Sequence, residues 1–129
     1  QLISHVMSCP AIRSSACGIL SRGAYPAAAY FLLVQVGDQV RLADYGPTDL
    51  DEETSRILGL GAQALALSLF PDAIAMIAAT SELPTLSGFL RSGFILNYEE
   101  PIRVLKLDPS LSSIDRFRLT LLDNDALYL

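Results

Sequence analysis

A near-continuous apolar run at residues 73–79, AIAMIAA, lies between two segments with helical patterns. Its length suits a strand, and its lack of polar alternation is typical of a strand that is covered on both faces. A strand reached through a helix is joined to its neighbour by a crossover, and crossovers connect parallel strands. We therefore predict that residues 73–79 form the central strand of a sheet with parallel pairing.

A β-hairpin is predicted before this run. Residues 28–36, AAYFLLVQV, are rich in β-branched and aromatic side chains, and Gly37-Asp38 provides a tight turn. Residues 39–45, QVRLADY, then return as the next strand. Strict alternation in that strand places Val40, Leu42 and Asp44 on one face, and Arg41, Ala43 and Tyr45 on the other.

Two helices are predicted, one on each side of the apolar run. The first is capped by Thr48 or Asp49 and continues to about Leu69, with acidic residues in the first turn at the positive end of the helix dipole. Its pattern consists of apolar or small residues at positions 57, 58, 61, 64, 65, 68 and 69. The second helix spans residues 82–92, has a proline in its first turn and ends at Gly93.

Further strands are predicted at residues 16–20 and 103–107, and another strand-like run follows a serine-rich linker at residues 109–113. The order predicts an α/β (α+β) fold, in which two helices pack on a mixed sheet of five to seven strands. We expect residues 1–129 to form one domain, with residues 109–129 as a C-terminal extension.

Composition argues against several classes of partner. The net charge is −5 and Lys106 is the only lysine, so we expect no nucleic acid partner. The apolar runs are too short to span a bilayer, so we expect no membrane partner. His5 is the sole histidine and no Cys-x-x-Cys spacing occurs, which argues against a metal site. Cys9 and Cys17 do not resemble a disulfide framework, which favours a cytoplasmic location.

Two short motifs resemble those of the GNAT family of N-acetyltransferases. The stretch Arg56-Ile-Leu-Gly59-Leu-Gly61 matches the family's pyrophosphate-binding turn, and FLRSGFIL at residues 89–96 resembles the helix that ends in Gly-Phe. Together with the order of elements, these motifs make residues 16–107 similar to the C-terminal half of a GNAT domain.

The resemblance implies an acyltransferase that moves an acyl group from acetyl-CoA, or another acyl-CoA, to an amine. Arg56, Gly59 and Gly61 would then bind the pyrophosphate through closely approaching backbone N–H groups. The strand end formed by Ala43, Asp44 and Tyr45 would bind the pantetheine arm. The resemblance does not assign a catalytic residue.

The two glycines have a second interpretation. If the first helix begins near Asp49, Gly59 and Gly61 lie inside it, where their N–H groups bond to carbonyls four residues earlier and cannot face a phosphate. The benefit of the glycines would then be close packing, offsetting a cost of about 1 kcal/mol each relative to alanine. Both interpretations are consistent with the sequence.

Three differences from the family favour a second function. An acid-rich segment separates Tyr45 from Arg56, Phe89 stands where the family often carries a tyrosine that acts as general acid, and the family's N-terminal strand and two helices have no counterpart. The alternative is therefore a non-catalytic GNAT-like binding or accessory module. We expect one sheet face to be apolar and poorly covered. Its cover would be the C-terminal run at residues 117–129 folding back, a second chain in a homodimer, or a preceding N-terminal domain.

Overall fold

A computed structural model describes residues 12–21 and 29–96 of the chain. Its elements, in chain order, are β1 (Ile12–Leu20), β2 (Ala29–Val36), β3 (Gln39–Gly46), α1 (Glu52–Leu69), β4 (Ala75–Ala78) and α2 (Leu83–Arg91). The predicted strand at residues 103–107 and the predicted extension at residues 109–129 lie outside the described residues.

The described strands form one sheet in the order β1-β2-β3-β4. β1 pairs antiparallel with β2, and β2 pairs antiparallel with β3 through a turn in which Gly37 has a φ of 60°. β4 pairs parallel with β3, because α1 carries the chain back to the start of β3. The prediction of a mixed sheet with two helices packed on it, an α+β fold, is confirmed.

The main core lies between the sheet and the helices. Phe31, Leu33, Leu42 and Leu58 are all buried, and Phe89 of α2 joins the same cluster. α1 packs across β1 and β2, and α2 packs on α1. The hydrophobic contact between the helices and this sheet face supplies the principal driving force for the fold.

The prediction that β4 is covered on both faces is wrong. β4 is the last strand of the described sheet, and Ala75 and Ile77 are exposed while Met76 and Ala78 are half-buried. Ala75 and Ile77 lie on the sheet face opposite the helices, since they pair with Gln39 and Arg41 rather than with the core residues of β3. A continuous apolar run therefore does not by itself indicate two covered faces.

The expectation of a poorly covered sheet face is also wrong at the centre of that face. Leu32, Val34 and Ala43 form a second buried cluster on the side away from the helices. Apolar exposure on this side of the described sheet lies around them, at Ile19, which is 68% exposed, and at Tyr30 and Ile77, which are each 37% exposed.

The two helices approach each other closely because small residues lie between them. A Cβ atom added to Gly88 of α2 would lie 2.5 Å from the Glu52 carbonyl oxygen and 2.5 Å from the Ser55 Cβ of α1. The buried Ser55 hydroxyl donates to the Thr85 hydroxyl at 3.5 Å. At the edge of this contact, Arg91 forms an ion pair with Glu52 at 2.6 Å.

Acidic pH is expected to weaken α1 at its first turn. The Arg91 hydrogen bond lowers the pKa of Glu52, and the Arg56 hydrogen bond lowers the pKa of Glu53. Because both pKa values are lower in the folded chain, these contacts stabilise it above the ordinary glutamate pKa of 4.5, and the contribution is lost as the pH falls through the folded-state values. Both groups are solvent-exposed, so the effect is small.

The test is the urea midpoint between pH 7 and pH 3. We expect a Glu52→Gln/Glu53→Gln variant to show a shallower fall in midpoint on the acid side than the unaltered chain. Asp72→Asn is the control, because the exposed Asp72 makes no ion pair within the described part of the chain. Equal acid-side slopes in the double variant and the unaltered chain would show that the two ion pairs contribute nothing.

Candidate functional site

A β-bulge interrupts β3 where it runs past the end of β4. Leu32 pairs with Asp44 while Leu33 pairs with Leu42, so Ala43 is an extra residue in β3. The last residue pair between β3 and β4 is Leu42 with Ala78, and β3 continues to Gly46 without β4 beside it. We call the gap between Ala43–Gly46 of β3 and Ala79, the residue that follows β4, the β3–β4 notch. Bulges that end strand pairing are frequent beside functional sites.

The bulge reverses the predicted alternation in the second half of β3. One extra residue moves each following side chain to the opposite face. Tyr45 therefore joins Leu42 in the core beneath the helices, and Ala43 joins Leu32 in the cluster on the other side. The prediction that Tyr45 lies on the face opposite Leu42 is wrong for this reason.

Two tyrosine hydroxyls make hydrogen bonds around the β3–β4 notch. The Tyr45 hydroxyl donates to the Ala79 carbonyl oxygen at 3.3 Å and so spans the notch, and the Tyr45 ring packs edge-on against Phe89 at 5.5 Å between centroids. On the other sheet face, the Tyr30 hydroxyl donates to the Asp44 carboxylate at 3.2 Å. Ala43, Asp44 and Tyr45 thus lie together at the strand end but project to different faces.

The N-cap of α1 is Asp51, two residues after Asp49, the later of the two predicted caps. The Asp51 carboxylate accepts a hydrogen bond from the Thr54 N–H at 2.6 Å and caps the helix, with Glu52 and Glu53 in the first turn. Asp49 cannot serve as the cap because its φ is 63°, in the left-handed region, whereas Asp51 has the extended backbone that an N-cap needs. The positive end of the helix dipole therefore already faces three carboxylates.

The Arg-x-x-Gly-x-Gly motif lies inside α1, as the helical interpretation of its glycines states. Arg56 is held by Glu53 through two hydrogen bonds, of 2.6 and 2.9 Å. A Cβ on Gly59 would lie 2.3 Å from the Ser92 hydroxyl oxygen, so this glycine faces α2. A Cβ on Gly61 would lie 3.3 Å from Leu20, so this glycine faces the sheet. The three residues do not converge on one surface.

Phe89 is confined to the core. It is 3% exposed and packs against Tyr45 and Phe94, at 5.5 and 5.4 Å between ring centroids. The helix that carries it ends as predicted, with Ser92 as the C-cap and Gly93 following at a φ of 107°. Residues 89–96, which resemble the family's Gly-Phe helix end, therefore do form a helix end, and their aromatic side chains pack against the core.

The outward face of α1 is apolar, which the sequence pattern did not indicate. Ile57, Leu60 and Leu67 are 44%, 43% and 82% exposed, and Ala64 between them is also exposed. Their spacing of three, four and three residues places them along one side of the helix. We call these four residues the outer stripe. A helix that is apolar on its exposed side commonly packs against another surface.

One further cavity in the described part of the chain lies apart from the residues that were predicted to bind a cofactor. A cavity of about 310 Å³ is lined by Gln63, Met76, Gly93, Phe94 and Ile95, and none of these was predicted to bind a cofactor. Within residues 12–21 and 29–96, no three His, Cys, Asp or Glu side chains lie close enough to hold a metal ion. The helices in this part of the chain are not long and apolar enough to cross a membrane.

Comparison with known proteins gives no relative. No protein-family model, no curated protein and no solved structure matches the chain. The class of protein is therefore set by the fold alone, an α+β domain with a mixed four-stranded sheet in its described residues.

Proposed function

We propose that the chain is a GNAT-like accessory module that associates with another protein surface and does not turn over acyl-CoA. The observation that carries this proposal is the composition of the α1 surface. It is acidic at the end where a phosphate would bind, and apolar along the side that faces water. The GNAT-like part of the proposal is supported by the element order and by the parallel pairing of β3 with β4.

The acidic end of α1 argues against pyrophosphate binding on electrostatic grounds. Three carboxylates, from Asp51, Glu52 and Glu53, surround the helix N-terminus, and a pyrophosphate brought there would meet like charge. The guanidinium of Arg56 already forms its charge-assisted hydrogen bonds with Glu53. Glu53 thus engages two of the five N–H donors of Arg56 and offsets its positive charge, which weakens any attraction of Arg56 for a phosphate.

A second candidate function is acyl transfer from acetyl-CoA or another acyl-CoA. The bulge at Ala43 and the end of pairing at Leu42 favour it, because they leave backbone groups of Ala43–Gly46 without β4 alongside. An extended amide-bearing chain such as a pantetheine arm could pair with that backbone. It would compete with the Tyr45 hydroxyl for the Ala79 carbonyl oxygen.

Calorimetric titration with acetyl-CoA separates the two functions. We expect no binding up to about 1 mM, which corresponds to a binding free energy weaker than about −4 kcal/mol. A micromolar dissociation constant, about −8 kcal/mol, that is lost in Gly61→Glu would overturn the accessory-module proposal. Ile74→Glu is the matched control, since Ile74 is 80% exposed outside α1 and receives the same added charge. Circular dichroism on each variant establishes that it is folded.

A further inference from the structure

We infer that residues 103–107, RVLKL, pair in parallel with the outer edge of β4 as the next strand of the sheet. β4 is the last strand of the described sheet, and no described strand lies on its outer side. The Ile74 N–H donates to the carbonyl oxygen of Asp38, just before β3, at 2.8 Å. Because backbone groups alternate in direction along a strand, the N–H and C=O groups of Ala75 and Ile77 point to the outer side. Such an edge is a template for a further strand.

The described chain ends beside β4. After α2, the Phe94 ring packs against Phe89 in the core, and Ile95 then lines the cavity of about 310 Å³ together with Met76 of β4. α2 has therefore brought the chain back to the first half of β4, as α1 brings it back to the start of β3. A crossover of this kind leads to a parallel strand, and β3 already occupies the inner side of β4. The next strand along the chain therefore falls on the outer side.

Connectivity favours residues 103–107 over the other segments that lie outside the described residues. The six residues between Leu96 and Arg103 span up to about 20 Å, which exceeds the length of about 13 Å of the four-residue β4. Residues 1–11 and 22–28 are joined to β1 and β2, at the far side of the sheet. Consecutive strands are usually neighbours, which favours this segment over the later strand-like run.

The segment RVLKL suits the β4 edge in charge and polarity. It contains two basic residues and no acidic residue, in a chain of net charge −5. In parallel pairing its first residue, Arg103, lies toward the start of β4, where Asp72 is exposed. Its three apolar side chains would remove part of the exposed surface of Ala75 and Ile77 from water. A covered edge also prevents β4 from pairing with other chains.

The first test is a disulfide scan of the full 129-residue chain in a Cys9→Ser/Cys17→Ser background, which removes both native thiols. Ile77→Cys is combined in turn with single cysteine substitutions from Arg103→Cys to Leu107→Cys. Directly opposed residues of adjacent strands lie about 5 Å apart, within the range of a disulfide, and successive side chains point to opposite faces. We therefore expect one position to crosslink at least roughly tenfold more than the positions immediately before and after it.

Ile19→Cys is the matched control for Ile77→Cys. Ile19 lies on the same sheet face at the far edge and is the more exposed of the two, at 68% against 37%, so random collisions would crosslink it at least as readily. We expect it to give no crosslink. Equal crosslinking of Ile77→Cys to neighbouring positions, no crosslink at any position, or a crosslink to Leu119→Cys in the later run instead would each overturn the inference.

Amide hydrogen exchange of the unaltered chain is the second test, and it needs no substitution. We expect the N–H groups of Ala75 and Ile77 to exchange within about tenfold of the Met76 N–H, which points toward β3. Exchange on the order of a hundredfold faster than that of Met76 would show an open edge and overturn the inference. Neither test involves acetyl-CoA or a partner protein, so the accessory-module proposal is judged separately by its own titration.

Discussion

Gly88→Ala is expected to lower the free energy of unfolding by about 2 kcal/mol, because overpacking at the upper end of its usual cost, about 3 kcal/mol, is offset in part by the better helix propensity of alanine. The added methyl group would lie 2.5 Å from the Glu52 carbonyl oxygen and 2.8 Å from the Arg56 backbone nitrogen. Since these are backbone atoms of α1, a rotamer change cannot relieve the clash, and the two helices must move apart. The cost exceeds the roughly 1 kcal/mol by which alanine is the better helix former.

Gly61→Ala is the matched control for this substitution. It makes the same chemical change in a helix, but the added methyl group meets only the flexible end of Leu20 at 3.3 Å. We expect it to be neutral within about 1 kcal/mol, because helix propensity and tight contact act in opposite directions. Urea denaturation of both variants measures the difference. Equal losses in the two variants would contradict the close helix contact at Gly88.

The course of the chain through α1 could be predicted from local signals. A cluster of acidic residues suits the start of a helix, and Pro71 cannot continue one, so the predicted end near Leu69 agrees with the structure. Which side of α1 faces the core could not be predicted. Of the seven patterned positions only Leu58 is buried, because the helix is apolar nearly all round and its sequence period does not select one side.

The bulge at Ala43 could not be predicted either. Alanine carries no local preference for a bulge, unlike a glycine that adopts a positive φ. The sequence therefore predicts unbroken alternation, and the faces that it predicts for Asp44 and Tyr45 are wrong. The bulge depends on the pairing between β2 and β3, which is a tertiary property. The β3–β4 notch is therefore visible only in the structure, although the family resemblance predicts a binding role for Ala43, Asp44 and Tyr45.

The side chains at the β3–β4 notch connect the fold to the proposed function. Tyr45 is completely buried, and its hydroxyl donates to the Ala79 carbonyl oxygen, which is the first backbone acceptor after the end of β4. A ligand that paired with the backbone across the notch would have to displace this hydrogen bond. The position of Tyr45 therefore favours a structural role for the β3–β4 notch over a role in binding a cofactor.

Tyr45→Ala is accordingly expected to lower the free energy of unfolding by about 3–5 kcal/mol, the usual cost of deleting a buried aromatic side chain. Tyr45→Phe retains the edge-on contact with Phe89 and loses the hydrogen bond to Ala79, so a loss of about 1 kcal/mol is expected. The two variants separate the contribution of the ring from that of the hydroxyl.

Tyr30→Ala is the control for this pair of variants. Tyr30 lies on the neighbouring strand and also donates its hydroxyl at the end of β3, but it is 37% exposed and on the opposite sheet face. Tyr30→Ala should therefore lower the free energy of unfolding clearly less than Tyr45→Ala does, and urea denaturation measures both losses. If Tyr45→Ala cost no more than Tyr30→Ala, the Tyr45 ring would not be part of the core, and the notch would be free to bind a ligand.

Acetyl-CoA titration of folded Tyr45→Phe tests the role of the β3–β4 notch directly. A gain in affinity over the unaltered chain would show that the Tyr45 hydroxyl blocks a functional cofactor site.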